Sequence, residues 1–262
     1  MWGAIIGDIS GSMYEWNRIK TKDFDFFGSE CDFTDDSVCT VAVAQILLDD
    51  RPSAATLQHW CRRYPHRGYG GFFAKWIQST NLDPYESFGN GSAMRVSPAA
   101  YVNRNRILED ALQASDRVTR VTHDHPEGMK GARATTHAIW LAFRGLPASE
   151  IRRTIVERYE YGLSRTVDEI RPNYSFNETC QATVPEAITC ALESTSFEDA
   201  VRNAISLGGD SDTLAAIAGP IAEAMHGVPE DLITTAKKDY LACVPDIVEV
   251  MDRMYSGGEP RT

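Results

Sequence analysis

The sequence lacks the features that mark membrane-spanning and secreted proteins. No segment approaches the ~18 consecutive apolar residues of a membrane span. The first residues have neither the basic region nor the long apolar run of a secretory signal. The six cysteines form no CxxC pair and no spacing typical of a disulfide framework, which favours reduced, mostly buried thiols. We therefore expect a cytoplasmic protein without a membrane partner.

Basic residues are also scarce. The chain has 37 acidic and 26 basic residues, a formal net charge of −11, and no run of lysine or arginine longer than a pair. This field repels a nucleic-acid backbone, so the charge disfavours a nucleic-acid partner without excluding one. The 262 residues, 43% of them hydrophobic, are enough to bury a substantial core as one domain or two small ones.

Helical periodicity is present along almost the whole chain. Apolar residues recur about every 3.6 positions, whereas the alternation typical of strands is scarce. This pattern predicts an all-α fold. The predicted helices are 2–16, 35–49, 53–64, 70–79, 92–102, 105–121, 126–144, 147–159, 180–194, 197–206, 212–226 and 230–255. The least helical stretches, 20–33, 81–91 and 163–176, are where we expect ligand contacts. Gly3, Gly7 and Gly11 form a bare face on the first helix, which predicts close packing against another helix.

Two short acidic clusters, far apart in the sequence, each open a strongly apolar helix. The first is Thr34-Asp35-Asp36 and the second is Asp210-Ser211-Asp212-Thr213. One interpretation is helix capping, in which Thr34 caps the helix and the acids complement its dipole. However, carboxylates at the ends of two buried helices cost several kcal/mol per charge unless cations neutralise them. If the clusters converge, their oxygen ligands suit one or two Mg²⁺ or Mn²⁺ ions better than Zn²⁺.

Three other motifs have ordinary structural interpretations when taken alone. The turn from Gly89 to Arg95 offers backbone N–H groups that suit a phosphate or ribose, although Asn-Gly turns are common. His123-Asp124-His125 precedes Pro126 and lacks a third metal ligand, which favours a helix-start loop. Glu15 lies between Tyr14 and Trp16, where a surface acid beside partly buried rings is the usual arrangement.

Five motifs in order resemble the ADP-ribosylglycohydrolase family, the relatives of dinitrogenase-reductase-activating glycohydrolase. They are Gly7-Asp8-x-x-Gly11-Ser12-x-Tyr14-Glu15, Thr34-Asp35-Asp36, Gly89-Asn90-Gly91-Ser92-Ala93-Met94-Arg95, Thr122-His123-x-His125-Pro126 and Gly208-Gly209-Asp210-Ser211-Asp212-Thr213. The resemblance spans essentially the whole chain. It implies a single domain over residues 1–262, with a compact all-α orthogonal bundle and a cleft that holds two Mg²⁺ or Mn²⁺ ions.

The resemblance also implies roles for individual residues. It matches Glu15 to a catalytic carboxylate. We add Asp36 to the catalytic candidates as an aspartate that the metals need not use fully. The metal ligands that it implies are Thr34, Asp35, Asp36, Asp210, Asp212 and Thr213. The substrate-binding residues that it implies are Ser87, Phe88, Gly89, Asn90, Gly91, Ser92, Met94 and His123. Arg171 and Tyr174 are added because an exposed arginine and an aromatic ring in the 163–176 loop suit a phosphate and a stacked base.

The activity that the resemblance implies is hydrolysis of the glycosidic bond between the distal ribose of ADP-ribose and an acceptor, releasing ADP-ribose. The substrate would be an ADP-ribosylated protein or small molecule, with arginine the favoured acceptor because carboxylates pair well with a guanidinium. Two alternatives stay open at this point. One is a non-catalytic ADP-ribose-binding or packing protein of the same fold. The other is a two-metal phosphoester hydrolase, because similar carboxylate sites serve that chemistry.

Overall fold

The computed structural model describes residues 1–256, which fold into helices joined by connections of very different length, the longest of them running from Met13 to Thr34. No β-strand occurs among these residues, and the only pairing of that type is an isolated bridge between Gly89 and Thr179. The all-α prediction is therefore confirmed. The α-helices are α1 (Trp2–Ser12), α2 (Asp35–Asp49), α3 (Ser53–Arg63), α4 (Gly71–Gln78), α5 (Gly91–Met94), α6 (Ser97–Val102), α7 (Leu108–Thr119), α8 (Pro126–Phe143), α9 (Ala148–Tyr159), α10 (Val167–Ile170), α11 (Cys180–Leu192), α12 (Phe197–Ile205), α13 (Ser211–His226), α14 (Glu230–Thr235) and α15 (Pro245–Ser256), with a π-helix over Ala236–Tyr240.

The glycine face of α1 packs directly on α13 at the centre of the fold. A Cβ atom added at Gly7 would lie 2.3 Å from the carbonyl oxygen of Ala215, and one added at Gly11 would lie 2.6 Å from the Cα of Asp212. Real Cβ contacts are never this short, so only glycine permits the approach. The predicted close packing is confirmed, and it brings the end of α1 beside the start of α13.

Helix α2 is buried almost all round its first three turns, as its apolar sequence predicts. Thr34 caps it, because its hydroxyl oxygen accepts a hydrogen bond from the backbone N–H of Asp36 at 3.3 Å. Helix α13 is buried from Ser211 through Ala222. The capping interpretation is thus correct for Thr34, but it leaves the carboxylates that follow without a structural role.

Several helix boundaries differ from the prediction, and each has a local cause. The predicted helix 92–102 is split into α5 and α6, because Pro98 occupies the first turn of a new helix. The predicted helix 230–255 is interrupted after the π-helix, and Pro245 begins α15. The first helix ends at Ser12 instead of residue 16, so Glu15 lies in the turn that follows.

The 163–176 segment contains one short helix that was not predicted. Thr166 and Glu169 form a reciprocal capping box that stabilises α10. Lys20 fixes the end of this segment: its ammonium donates hydrogen bonds to the carbonyl oxygens of Arg171 at 2.8 Å and Tyr174 at 2.6 Å, and also to that of Leu207. Within residues 1–256, no helix combines the length and apolar character that a membrane crossing requires.

Candidate functional site

The two acidic clusters meet in one cleft. The Thr213 hydroxyl, from the start of α13, donates a hydrogen bond to the Oδ2 atom of Asp36 on α2 at 3.3 Å. Asp8, Asp36 and Asp212 each offer one carboxylate oxygen, and these three oxygens lie within 4.8 Å of one another. The residues are distant in sequence, so the site depends on tertiary packing of α1, α2 and α13.

Asp8 is the residue of this group that the sequence analysis missed. It is fully buried on α1, and its Oδ2 atom accepts hydrogen bonds from the backbone N–H groups of Thr34 at 2.9 Å and Ser37 at 3.0 Å. Its Oδ1 atom accepts a bond from the Thr34 hydroxyl at 2.6 Å. Two signals were available: Asp8 is a lone acid within a run of apolar and small residues, and it belongs to the Gly7-Asp8 motif, to which we assigned no role at this position.

A second group of carboxylates lies beside the first. Glu15, Asp210 and Asp212 each contribute an oxygen, and these again lie within 4.8 Å of one another. Asp212 belongs to both groups, so its side chain stands between them. Two neighbouring oxygen clusters that share one carboxylate have the composition needed by a pair of hard divalent cations.

Burial, together with mutual repulsion in most cases, raises the pKa values of these acids. Burial, followed by repulsion from neighbouring carboxylates, raises the pKa of Asp36 and Asp212 well above the usual range. Burial raises the pKa of Asp8 to about 6. Burial and the nearby charge of Asp210 raise the pKa of Glu15 to about 7.

No basic side chain relieves this crowding within residues 1–256. The salt bridges of that part of the chain involve none of Asp8, Glu15, Asp36, Asp210 or Asp212. The Oδ1 atom of Asp36 is buried and has no hydrogen-bond partner. An oxygen-only set of acids with an unpartnered buried oxygen fits a divalent cation such as Mg²⁺ or Mn²⁺.

Asn90 connects the glycine-rich turn to the acidic cluster. Its side-chain Nδ2 donates to Oδ2 of Asp210 at 2.7 Å, and its backbone N–H donates to the carbonyl oxygen of Glu178 at 2.7 Å. Gly89 forms the isolated bridge to Thr179 at the start of α11. The turn is therefore held from both sides while its glycines remain open to the cleft.

His123 lies against this turn as a neutral ring. Burial, with a further contribution from the Arg95 guanidinium, lowers its pKa well below the usual value. Its Nδ1 atom lies 2.8 Å from the Thr122 hydroxyl, and its Nε2 atom is 3.3 Å from where a Gly91 Cβ would be. Arg95 is fully buried and donates to the Thr122 hydroxyl at 2.6 Å. The site thus places a neutral imidazole next to the glycine turn.

Most of the residues predicted from sequence line the cleft. They are Glu15, Asp35, Asp36, Ser87, Gly89, Asn90, Gly91, Met94, His123, Asp210, Asp212 and Thr213. The lining also includes residues that the sequence analysis did not select. They are Gly68, Gly70, Gly71, Phe72, Phe73, Tyr85, Arg95 and Glu178. The glycine-rich run before α4 was a usable signal: Gly68 adopts a positive φ of 95°, and a Cβ there would be 3.3 Å from a carboxylate oxygen of Asp35.

Five predicted residues lie outside this lining. The Thr34 hydroxyl is bonded to Asp8, and the Ser92 hydroxyl donates to the carbonyl oxygen of Gly128 at 2.9 Å. Phe88 is 45% exposed and its ring lies 5.2 Å from that of His125. Arg171 pairs with Asp168 and donates to the Ser206 hydroxyl, and the Tyr174 hydroxyl donates to the carbonyl oxygen of Ala182. In this arrangement Arg171 and Tyr174 serve to hold their own loop.

Comparison with known proteins agrees with this geometry. Residues 1–260 match the family described as ADP-ribosylglycohydrolase. The chain belongs to the ADP-ribosylglycohydrolase family. Among curated relatives of this family member, ADP-ribosylhydrolase ARH3 from Homo sapiens is 25% identical over an alignment covering 87% of this chain and 84% of its own length.

Two further comparisons bear on this family member. ADP-ribosylarginine hydrolase Tri1 from Pseudomonas putida (strain GB-1) is 30% identical over an alignment that covers 56% of this chain and 41% of Tri1. A solved structure described as an ADP-ribosylglycohydrolase-related protein complex superposes with a TM-score of 0.71, covering 97% of this chain and 95% of that one, at 21% identity. The structural likeness shows a shared fold.

Proposed function

We propose that this protein is a metal-dependent hydrolase that cleaves the glycosidic bond between the distal ribose of ADP-ribose and an acceptor. Water and the ADP-ribosyl substrate give free ADP-ribose and the protonated acceptor. The convergence of five carboxylates, from Asp8, Glu15, Asp36, Asp210 and Asp212, without a basic partner in residues 1–256 is the observation that carries this proposal. Family membership and the activities named for ARH3 and Tri1 support it.

We further propose two Mg²⁺ or Mn²⁺ ions as cofactors. Asp35, Asp36 and Thr213 would hold them together with Asp210 and Asp212, and Asp8 joins this set on its geometry. The Thr34 hydroxyl donates a hydrogen bond to Asp8 and accepts one from the backbone N–H of Asp36, so one lone pair of its oxygen remains for a cation. When bound, the cations supply Lewis-acid chemistry: they neutralise the acids, orient the ribose hydroxyls and lower the pKa of a water molecule.

The chain's own residues would then position the substrate and move a proton. Glu15 is only partly buried at the cleft and its pKa is about 7, so it suits proton transfer to or from the reacting groups. Asp36 is the other proposed catalytic carboxylate, because its Oδ1 atom is unpartnered. Carboxylates near the anomeric carbon also stabilise the oxocarbenium-like charge that develops during glycosidic cleavage.

The glycine turn and its neighbours are the proposed substrate-binding wall. The backbone N–H of Gly91 suits the diphosphate and distal ribose, whereas that of Gly89 donates to the Ser87 hydroxyl at 3.2 Å. Asn90 keeps this turn beside Asp210. Arginine is the proposed acceptor, since carboxylates that bind no metal, such as Glu15, can form hydrogen bonds with a guanidinium leaving group.

We also propose one domain over the whole chain, of which residues 257–262 lie outside the described part. The six free cysteines favour a reducing compartment such as the cytoplasm.

A substrate panel with mass detection tests this proposal. Arginine-, serine- and nucleobase-linked ADP-ribose are incubated with Mg²⁺, Mn²⁺ or chelator. We expect free ADP-ribose with either metal and none with chelator. Release of AMP or phosphate would instead indicate a phosphoester hydrolase, and tight ADP-ribose binding without any turnover would indicate a non-catalytic binding protein.

A further inference from the structure

An exposed tryptophan stands directly after the proposed catalytic glutamate. Trp16 is 73% exposed, although tryptophan is highly buried on average. Its ring stacks on that of Phe176, with centroids 5.7 Å apart and planes inclined by 28°. These two rings come from segments 160 residues apart, so the fold assembles the pair. An apolar surface of this kind beside a cleft is typical of a contact site.

An arginine of the protein itself already contacts one ring of this pair, that of Phe176. The guanidinium carbon of Arg18 lies 4.8 Å from the Phe176 ring centroid, within the range of a cation–π contact. The Arg18 Nε atom also donates to the carbonyl oxygen of Glu15 at 3.2 Å, so this guanidinium is held at the same rim. Trp16, whose indole is a better cation–π partner than a phenyl ring, remains largely uncovered.

The charges at this rim also suit a cation. Glu15 precedes Trp16 and Glu178 follows two residues after Phe176, and both acids line the cleft. They lie close enough for the charge of Glu178 to act on Glu15. Two rings and two carboxylates together match a guanidinium, which is planar, cationic and rich in hydrogen-bond donors. A neutral nucleobase would gain the stacking but would leave both carboxylates unsatisfied.

We propose that Trp16 and Phe176 form the acceptor subsite and select arginine-linked over other ADP-ribosyl substrates. The subsite rests on the proposed hydrolase function, because it takes the group that leaves when the glycosidic bond breaks. Glu15 and Glu178 provide the hydrogen-bond acceptors, and the exposed face of Trp16 provides the cation–π surface. ADP-ribose itself has no acceptor group, so its binding does not depend on this pair.

Trp16→Ala tests the subsite directly. We measure kcat/KM for arginine-linked and serine-linked ADP-ribose, and the affinity for free ADP-ribose, with Mg²⁺ present. We expect kcat/KM for the arginine-linked substrate to fall about fivefold to tenfold, in line with a cation–π contact. The serine-linked value should fall much less, because the contact between Trp16 and Glu15 is shared by both reactions whereas the cation–π contact is not. The ADP-ribose affinity should stay at the wild-type level. Trp16→Phe, which keeps an aromatic face, should restore most of the arginine-linked rate.

Controls separate the possible failures. Ile107→Ala removes an exposed apolar side chain far along the sequence and should leave every parameter unchanged. If Trp16→Ala is poorly folded, Phe176→Leu removes the other ring and should show the same selective loss. An equal fall for both substrates, no fall at all, or faster cleavage of a nucleobase-linked substrate overturns the subsite while the hydrolase function stands. Wild-type protein that cleaves none of the substrates overturns the hydrolase function and the subsite with it.

Discussion

Asp116 and Asp212 are both buried aspartates, but only Asp116 has basic side chains beside it. The Nε atom of Arg133 donates to the Oδ1 atom of Asp116 at 2.7 Å, and Arg120 lies 3.7 Å from its Oδ2 atom. Asp212 instead faces Asp36, Asp210 and Glu15, which all raise its pKa in addition to burial. The same residue type is thus neutralised in one region and crowded with like charge in the other.

The difference teaches what each region requires from outside the chain. Burying a carboxylate costs several kcal/mol unless it is paired. At Asp116 the chain supplies its own cations, so the interaction is complete in the folded protein. In the cleft the acids either take up protons or wait for a cation that the chain does not provide. This contrast supports a structural role for Asp116 and a metal-binding role for the cleft.

The largest expected effect comes from removing the acid that both carboxylate groups share. Asp212→Ala should lower metal-dependent turnover by about a thousandfold or more, because a lost ligand costs several kcal/mol of transition-state stabilisation. Helical content should remain, since the variant relieves repulsion instead of creating it. Turnover assays with Mg²⁺ and circular dichroism check both expectations. Wild-type activity in this variant would remove Asp212 from the site.

Asp116→Asn is the matched control for that variant. It also neutralises a buried aspartate, but here it leaves Arg133 without its partner. Arg133 is 41% exposed, so solvent screens part of the loss and we expect only about 1–2 kcal/mol of destabilisation. Turnover at a temperature well below unfolding should not change. A large loss of turnover in this variant would contradict a purely structural role for Asp116.

Glu15→Gln addresses proton transfer separately from metal binding. We expect turnover to fall by about 10²–10⁴-fold, the usual contribution of a general acid or base. The variant should still bind ADP-ribose, because glutamine fills nearly the same space at the rim. Kinetics combined with calorimetric titration of ADP-ribose measures both properties. Equal turnover in the two proteins would exclude Glu15 from the mechanism.

Asn90→Ala tests whether an uncharged side chain orients one of the cleft carboxylates, that of Asp210. The amide donates to Asp210 at 2.7 Å, so its loss leaves that carboxylate less well oriented. Partners of this kind contribute about 10–100-fold to metal affinity. We expect the Mg²⁺ concentration for half-maximal turnover to rise by that factor, with turnover partly recovered at saturating metal. An unchanged Mg²⁺ dependence would show that Asn90 does not orient Asp210 for a cation.

The smallest expected effect is a pH dependence of stability. The pKa of Asp8 is about 6 and that of Glu15 about 7 in the folded protein, against ordinary values of 3.8 and 4.5. The folded protein therefore holds protons that the unfolded chain releases. As a result, the contribution of these two groups to the protein's free energy of unfolding falls as pH rises from about 4 to about 7. With chelator present, the Tm of the wild-type protein should drop by a few degrees across this pH range. The Tm of the Asp212→Ala variant, which has fewer crowded acids, should drop less.

Magnesium should reverse that trend. Cations and protons compete for the same carboxylates, so the increase in Tm on adding Mg²⁺ should be larger at pH 8 than at pH 5. Thermal unfolding at both pH values, with and without Mg²⁺, measures this difference. The same increase at the two pH values would show that the crowded acids are not where the metal binds.

The sequence allowed the helices and most of the acidic cleft to be predicted for identifiable reasons. Paired carboxylates at the start of two apolar helices are conspicuous, so Asp36 and Asp212 could be selected before the fold was known. Asp8 belongs to one of the quoted motifs but was given no role, because a single acid inside a helix does not indicate a metal ligand until its neighbours in space are known. Glu178 lines the cleft from the segment before α11 and Phe72 from the first turn of α4, and no periodicity specifies either placement.

Some predicted residues have different surroundings from those that we expected, for a similar reason. Arg171 has the charge and hydrogen-bond donors of a phosphate ligand, but its guanidinium forms an ion pair with Asp168. Pro98 and Pro245 both indicate helix boundaries, but our prediction followed the helical periodicity and continued a helix through each of them. Local competition among neighbours, which one sequence does not rank, decided these cases.

The glycine contacts between α1 and α13 limit how this enzyme family member can adapt. Where two backbones touch at successive turns, neither helix can slide or rotate to widen the space between them. Any adjustment to a larger or smaller acceptor must therefore occur in the connecting segments around residues 13–16, 68–70 and 171–178. Engineering of substrate preference should be directed at those segments, with the helical frame left as it is.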